Sequence, residues 1–419
     1  MTQSHKGARR AATLVALAAT LMAGTANAQD VTLTFWGSYG NGGNSAQQDA
    51  LNEILIPAFE AEHPGISVDY VDVPYDALLQ KLTTSAAGGE LPDLIRADLG
   101  WVPQFADLGV LVSLSELMDD FQMYADKTYP GSLSTNLHEG EYYGLPLDTN
   151  TRVLVTSQAA LDAAGMSEPP ATFEELKAMA DALGDTDMAV FADSGLGSWN
   201  VFPWIWSGGG AVTDPDLTVA TGYLDSDESV AAIQMLVDLY QAGQIPNLII
   251  GNQGATSTSD GLPTGRYANI LDGPWMKAIW AGQYPDFEPI YAPVPAGEGG
   301  SVSVVGGQNI VLTSSSEHKD AALEFIRFTQ TEMFQLEMAK SGNMTVIPAY
   351  ADAQNDNDPY FAMFSDQLKT ARSRLAIPQA SQVDAIISGA LTPAFQGDVS
   401  VKDALSDAAA QIDQLLARN

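Results

Sequence analysis

The chain has 419 residues, no cysteine, and 52 acidic side chains against 18 Lys plus Arg, a formal charge of −34. Such acidity argues against nucleic acid and against an anionic membrane surface as partners, because both repel it. Without cysteine the fold cannot rest on disulfides and must draw its stability from buried cores, which a chain of this length can build as two domains.

Lys6, Arg9 and Arg10 precede an apolar stretch over 11–23, and Ala26-Asn27-Ala28 has the small-x-small pattern of a cleavage site. Residues 1–28 therefore read as an export signal, cleaved near Ala28. The stretch is too short to span a bilayer, and no later segment reaches about 18 apolar residues. The mature protein is expected to be periplasmic, without direct membrane insertion and without a cysteine for a lipid anchor, secretion being the fallback.

Val31, Leu33 and Phe35 alternate with Thr32 and Thr34, which predicts a first strand. Helical spacing follows in Leu51, Ile54, Leu55 and Phe59, ended by Pro64-Gly65. Ile66, Val68 and Tyr70 predict a second strand, Tyr75 to Ala87 an amphipathic helix closed by Gly88-Gly89, and Leu94-Ile95 a short buried strand. Alternating strand and helix imply a sheet with crossover helices, an α/β fold. Two strand-like pieces flank Asp148-Thr149-Asn150-Thr151, a plausible crossing between lobes. Thr172-Phe173-Glu174-Glu175 reads as a capped helix start with its acids in the first turn. Gly306-Gly307-Gln308-Asn309 leads into another strand, and from Glu317 onward the pattern is mostly helical.

Catalytic and metal signatures are weak. His5, His63, His138 and His318 are isolated, and no HExxH, G-x-S-x-G, P-loop or G-x-G-x-x-G occurs. No cofactor and no metal is expected. Acids are too plentiful for any chosen pair to mark a glycosidase.

The most informative segment is Leu271 to Trp280, LDGPWMKAIW, a Gly-Pro-Trp turn with aromatic company. Sugar rings present flat C–H faces edged by hydroxyls, so a site for them needs aromatic platforms bordered by carboxylates and amides. Trp275 is the first platform. Trp199, Phe202 and Trp206 share one helical stripe, either core or, for Trp199, a second platform. Asp98 lies just past a buried strand, where α/β sheets place ligands. Trp101 is either a contact or the anchor of the next helix. Asp148, Asn150 and Arg152 alternate on the crossing strand, so two of them are expected to face the cleft while Thr149 and Thr151 face away; hinge support is their other reading, and for Arg152 pairing with an acid. Gln308 and Asp384 complete the polar candidates, with Tyr39 and Asn41 in the loop after the first strand.

These ordered segments resemble the maltose and maltodextrin-binding proteins, within the extracellular solute-binding proteins of ATP-binding-cassette sugar importers. VTLTFWGSYG is similar to the family's opening strand and ligand loop, LPDLIRADLGWVPQFADLGVL to its Pro-Asp segment, YYGLPLDTNTRVLVTSQAAL to its hinge strand, and GRYANILDGPWMKAIW to its most specific stretch, with Trp275 as the stacking aromatic. IPQASQVDAII and VKDALSDAAAQI resemble its distal helices. The resemblance implies a two-lobed periplasmic-binding-protein fold with a ligand cleft between lobes and several hinge crossings. One lobe is expected over 29–147 and 296–330, the other over 148–295 and 331–419. It also implies a non-enzymatic, monomeric receptor that binds a neutral di- or oligosaccharide, a maltose- or trehalose-like α-glucoside being favoured, and delivers it to a membrane permease. Ser38-Tyr39-Gly40-Asn41, Asn150 and Asp384 depart from the maltose-binding pattern of a first-loop Asp-Lys pair, a hinge acid and a distal aromatic. A receptor for a cation or polyamine, and less readily an extracellular glycosidase, are the competing expectations.

Overall fold

Extended, β-branched segments spaced by amphipathic helices build two sheets in the computed structural model, which describes residues 31–40, 45–251 and 254–417. The export signal and Asn41 lie outside the described residues. In chain order the strands are β1 (Val31–Gly37), β2 (Ile66–Asp72), β3 (Leu94–Asp98), β4 (Leu137–His138), β5 (Glu141–Tyr142), β6 (Gly144–Thr151), β7 (Val153–Ser157), β8 (Ala189–Ala192), β9 (Tyr267–Asp272), β10 (Pro289–Ala292), β11 (Val304–Leu312) and β12 (Arg372–Ser373). The first sheet has the order β12-β11-β3-β1-β2, with β6 along the other edge of β11. The second has the order β10-β7-β9-β8, and β4 with β5 forms a separate hairpin.

Each sheet has its own apolar core. Leu33, Phe35, Leu51, Phe59, Leu312, Phe325 and Phe334 bury against the first sheet. Around the second, Leu154, Leu176, Phe191, Phe202 and Trp204 pack with the closing helix Val401–Leu416 through Leu405, Ala408 and Ile412. Each such side chain contributes about 1.5–3 kcal/mol of burial free energy, so both lobes have cores of their own. Among the described residues no helix is long and apolar enough to cross a membrane.

The chain crosses between sheets abruptly. Thr151 ends β6 in the first, Val153 begins β7 in the second, and Arg152 alone lies between them. The return into β11 runs beside it, where the Ser303 hydroxyl donates to the Arg152 carbonyl at 2.7 Å. The division expected at 147/148 falls inside β6, which stays paired to β11 as far as Thr151. Likewise the helix Glu332–Ala339, expected in the second lobe, buries Phe334 and Met338 in the first sheet's core.

Local expectations hold where short-range chemistry decides. Thr172 caps the helix Phe173–Leu183, its hydroxyl accepting from the Glu175 amide at 3.1 Å while the Glu175 carboxylate accepts from the Ala171 amide. The helix Tyr75–Gly88 stops at Gly89 in the left-handed region, where glycine has no Cβ penalty. Ile54 is the exception, 43% exposed despite its helical spacing. Residues Ala50–Leu55 form a π-helical turn, which widens the turn and swings Ile54 off the buried face.

Candidate functional site

A cavity of about 460 Å³ lies between the sheets, within the size range of small-molecule sites. Sheet register assembles its floor. Gln308 on β11 stands opposite Asp98 on β3 and opposite Asp148 on β6, so residues from three distant segments fall in one row. Arg96, two residues before Asp98 and so on the same face of β3, reaches along that row. Its guanidinium donates to Asp148 at 3.1 Å and to Gln308 Oε1 at 2.5 Å, and lies 4.2 Å from the Tyr39 ring centroid. The ring face thus meets a desolvated cation.

Asp98 is fully engaged. Its Oδ1 accepts from Arg374 Nη2 at 2.7 Å and from the Gly100 amide at 2.8 Å, and its Oδ2 from the Tyr75 hydroxyl at 2.8 Å. Burial, reinforced by the Asp98 charge, pushes the Tyr75 phenol up, so it stays a donor. Both cavity arginines are therefore matched by carboxylates, and the site carries little net charge in a strongly acidic chain.

The far wall is aromatic. Trp199, in the first turn of the helix Ser198–Ser207, and Trp275, just ahead of the helix Met276–Gln283, both line the cavity with ring centroids 6.3 Å apart and planes tilted by 32°. Two glycines make room for them. A Cβ on Gly273 would meet the Trp275 ring at 2.1 Å, and one on Gly306 would meet Trp199 at 2.7 Å. Asn150 and Asn343 add amides at the cavity wall. Asn150 Oδ1 and Asn343 Nδ2 are buried and find no hydrogen-bond partner among the described residues.

Of the residues singled out in the sequence, Trp275, Trp199, Asp98, Asn150 and Gln308 thus come together at one cavity. Others act from behind or elsewhere. Asp148 is the buried counter-ion of Arg96. Tyr39 is 1% exposed, packed between Arg96 and Tyr70, because the turn after β1 folds its ring into the first core. Arg152 turns away from the cavity and donates to Asp193 and to the carbonyls of Trp199 and Leu271. Asp384 accepts from the Ser198 amide at 2.9 Å, an anion on the N-terminus of the Trp199 helix. Trp101 stacks on Tyr75 with centroids 5.5 Å apart and anchors the helix Val102–Asp107. Trp101 and Asp384 meet only at an adjoining void of about 30 Å³, which shares Asp98 and Arg374 with the cavity. Phe202 and Trp206 are buried core, so of that stripe Trp199 alone reaches the cavity.

Sequence reading missed Arg96, Arg374, Tyr75, Gln47 and Asn343, which also line the cavity. A signal existed for Arg96, a lone cation inside the otherwise apolar LIRA, where burial demands a partner. Arg374 and Asn343 lie in irregular chain with no periodicity to mark them. Among the described residues no group of three or more His, Cys, Asp or Glu is placed to hold a metal ion.

Comparison with known proteins agrees with this architecture. A Brucella abortus (strain 2308) chain described as a binding protein is 26% identical over 426 residues, covering 97% of this chain and 98% of its own. The maltotriose-binding protein of Pyrococcus abyssi is 23% identical over 351 residues, covering 80% of this chain and 72% of its own. The GacH receptor of Streptomyces glaucescens GLA.O superposes with a TM-score of 0.80 at 23% identity, covering 93% of this chain and 99% of that one, a likeness of the two-lobed fold. The model of the family described as bacterial extracellular solute-binding protein matches residues 42–336, and the chain belongs to that family.

Proposed function

We propose that the protein is an extracytoplasmic receptor for a neutral di- or oligosaccharide, a maltose- or trehalose-like α-glucoside being favoured, which it delivers to the permease of an ATP-binding-cassette importer. The observation that carries this reading is the pair of indoles on a charge-balanced cavity wall. Trp199 and Trp275 offer apolar faces to sugar C–H groups, while the amide side chains of Asn150, Gln308 and Asn343 at the cavity wall suit hydroxyls, which both donate and accept. Closure of the lobes desolvates these contacts, with Thr151–Val153 and the neighbouring entry to β11 absorbing the rotation. Similar proteins support an oligosaccharide ligand: among them are a maltotriose-binding, an arabinooligosaccharide-binding and a diacetylchitobiose-binding protein, and the GacH receptor was solved with acarbose.

A cation or polyamine receptor fits less well. It wants unmatched carboxylates, whereas Asp98 is the one carboxylate among the described lining residues and is held by Arg374. A glycosidase wants two carboxylates across the cleft. The protein is read as a monomeric, non-catalytic, periplasmic receptor after removal of residues 1–28.

The test is titration of intrinsic tryptophan fluorescence in the mature protein with maltose, maltotriose, trehalose, cellobiose and xylobiose, with a polyamine as control. Saturable change with an α-glucoside and no hydrolysis product is the expected outcome. Response to the polyamine alone would overturn the reading.

A further inference from the structure

The two tryptophans sit on segments far apart in sequence, and one side chain ties both. Arg152 is 3% exposed and lies at the crossing between the sheets. Its Nη1 donates to the Trp199 carbonyl at 2.9 Å, and its Nη2 to Asp193 Oδ1 at 2.8 Å and to the Leu271 carbonyl, four residues before Trp275.

The Trp199 carbonyl is available for a specific reason. Helical geometry would pair it with the amide four residues on, but that residue is Pro203, which has no N–H, inside the helix Ser198–Ser207. Arg152 supplies the missing donor. Asp193, held by the same guanidinium, also accepts from Asn200 Nδ2 at 2.6 Å and so fixes the residue after Trp199. On the other side, the register of β7 on β9 sets Val153 opposite Asp272, so the turn Gly273-Pro274-Trp275 starts beside Arg152. A planar guanidinium reaches acceptors on separate segments from its two Nη atoms, whereas an ammonium presents its three donors from a single nitrogen.

We propose that Arg152 is a positioning residue: from the hinge crossing, it sets the spacing and tilt of Trp199 and Trp275 by binding the carbonyls of Trp199 and Leu271 without touching the ligand. The consequence for affinity rests on the receptor reading above. The consequence for the indole pair does not.

Two indoles with centroids 6.3 Å apart couple their electronic transitions. The measurement is therefore the far-ultraviolet circular dichroism couplet of the unliganded protein, defined as the part that Trp199→Phe and Trp275→Phe each remove. Arg152→Met combined with Asp193→Asn deletes both charges of the buried Arg152–Asp193 pair together. The couplet is expected to fall at least about two-fold while urea unfolding stays cooperative, with maltotriose affinity falling roughly ten-fold. Adding Pro203→Ala returns a helical donor to the Trp199 carbonyl and is expected to restore part of the couplet. Should the double variant fail to fold, Arg152→Lys keeps the charge and loses the fork, and its couplet is expected to fall as well. A folded variant of either kind with the full wild-type couplet overturns the proposal. An intact couplet in wild-type protein that ignores all the sugars would instead count against the receptor reading.

Discussion

Arg374 donates to Asp98 across 2.7 Å, joining the chain just after β12 to the end of β3 on the floor of the cavity. The Arg374 guanidinium also lies 5.7 Å from the Trp199 ring centroid, so one cation serves the floor and the aromatic wall together. Removing it leaves Asp98 buried without its counter-ion. Arg374→Met is expected to destabilise the fold by about 3–5 kcal/mol, and Arg374→Met with Asp98→Asn by much less. Urea unfolding of the single and double variants checks both figures. Equal losses would show that the carboxylate does not need the cation.

Trp275→Ala removes the platform that the Gly273 turn is built to hold. Truncation of a central aromatic contact costs about 2 kcal/mol or more, roughly 30-fold in affinity. Isothermal titration with the sugar found active in the panel is the measurement, with the midpoint of urea unfolding expected to move little because Trp275 is only part-buried. Trp199→Ala is expected to lose affinity in the same direction.

Gly306 has space for no side chain. A methyl there would stand 2.2 Å from Asn150 Oδ1 and 2.7 Å from Trp199 Cη2, so Gly306→Ala must displace the amide, the indole or both. Overpacking of this kind costs about 1–3 kcal/mol of stability. Sugar affinity is expected to fall by about ten-fold, because both displaced groups line the cavity. Unchanged affinity in the titration would mean that neither group contacts sugar.

Asp272, at the end of β9, has its carboxyl pushed up to about 6 by burial, against the opposing pull of Arg152 and the Gly273 amide. The folded state therefore holds the proton more tightly than the unfolded chain, and stability contributed by this group is present at pH 4 and is lost as the pH rises through 6. Asp272→Asn is expected to abolish that part of the pH dependence and to be the more stable protein above pH 6. Urea unfolding of the two proteins between pH 4 and 8 measures the difference. Parallel profiles would refute the assignment.

Much of the architecture was legible because it rests on short-range rules. Alternation in VTLTF, the Thr172 cap and the helix-closing glycine after Tyr75–Gly88 each depend on residues a few positions apart. The Gly-Pro-Trp turn is equally local. So was the place of Trp275 at the cavity wall, where Gly273 leaves room for its ring. The same rules failed at Ile54, where a π-helical turn broke the period. They left Trp199 and Trp206 on one stripe, and only the second core and the cavity told them apart.

By itself the sequence determined the α/β class, the acidic surface, the crossing strand and an aromatic, amide-rich site. Tertiary structure alone decided which polar groups reach the cavity and which serve it from behind. Asp98, Gln308 and Asp148 share a row through the register of β3, β11 and β6, and Arg152 turns from ligand candidate to structural tie because Pro203 leaves a carbonyl bare. Periodicity encodes which face of a strand or helix is buried. It does not encode which distant strand lies alongside, and the partner of a buried charge is fixed only by that pairing.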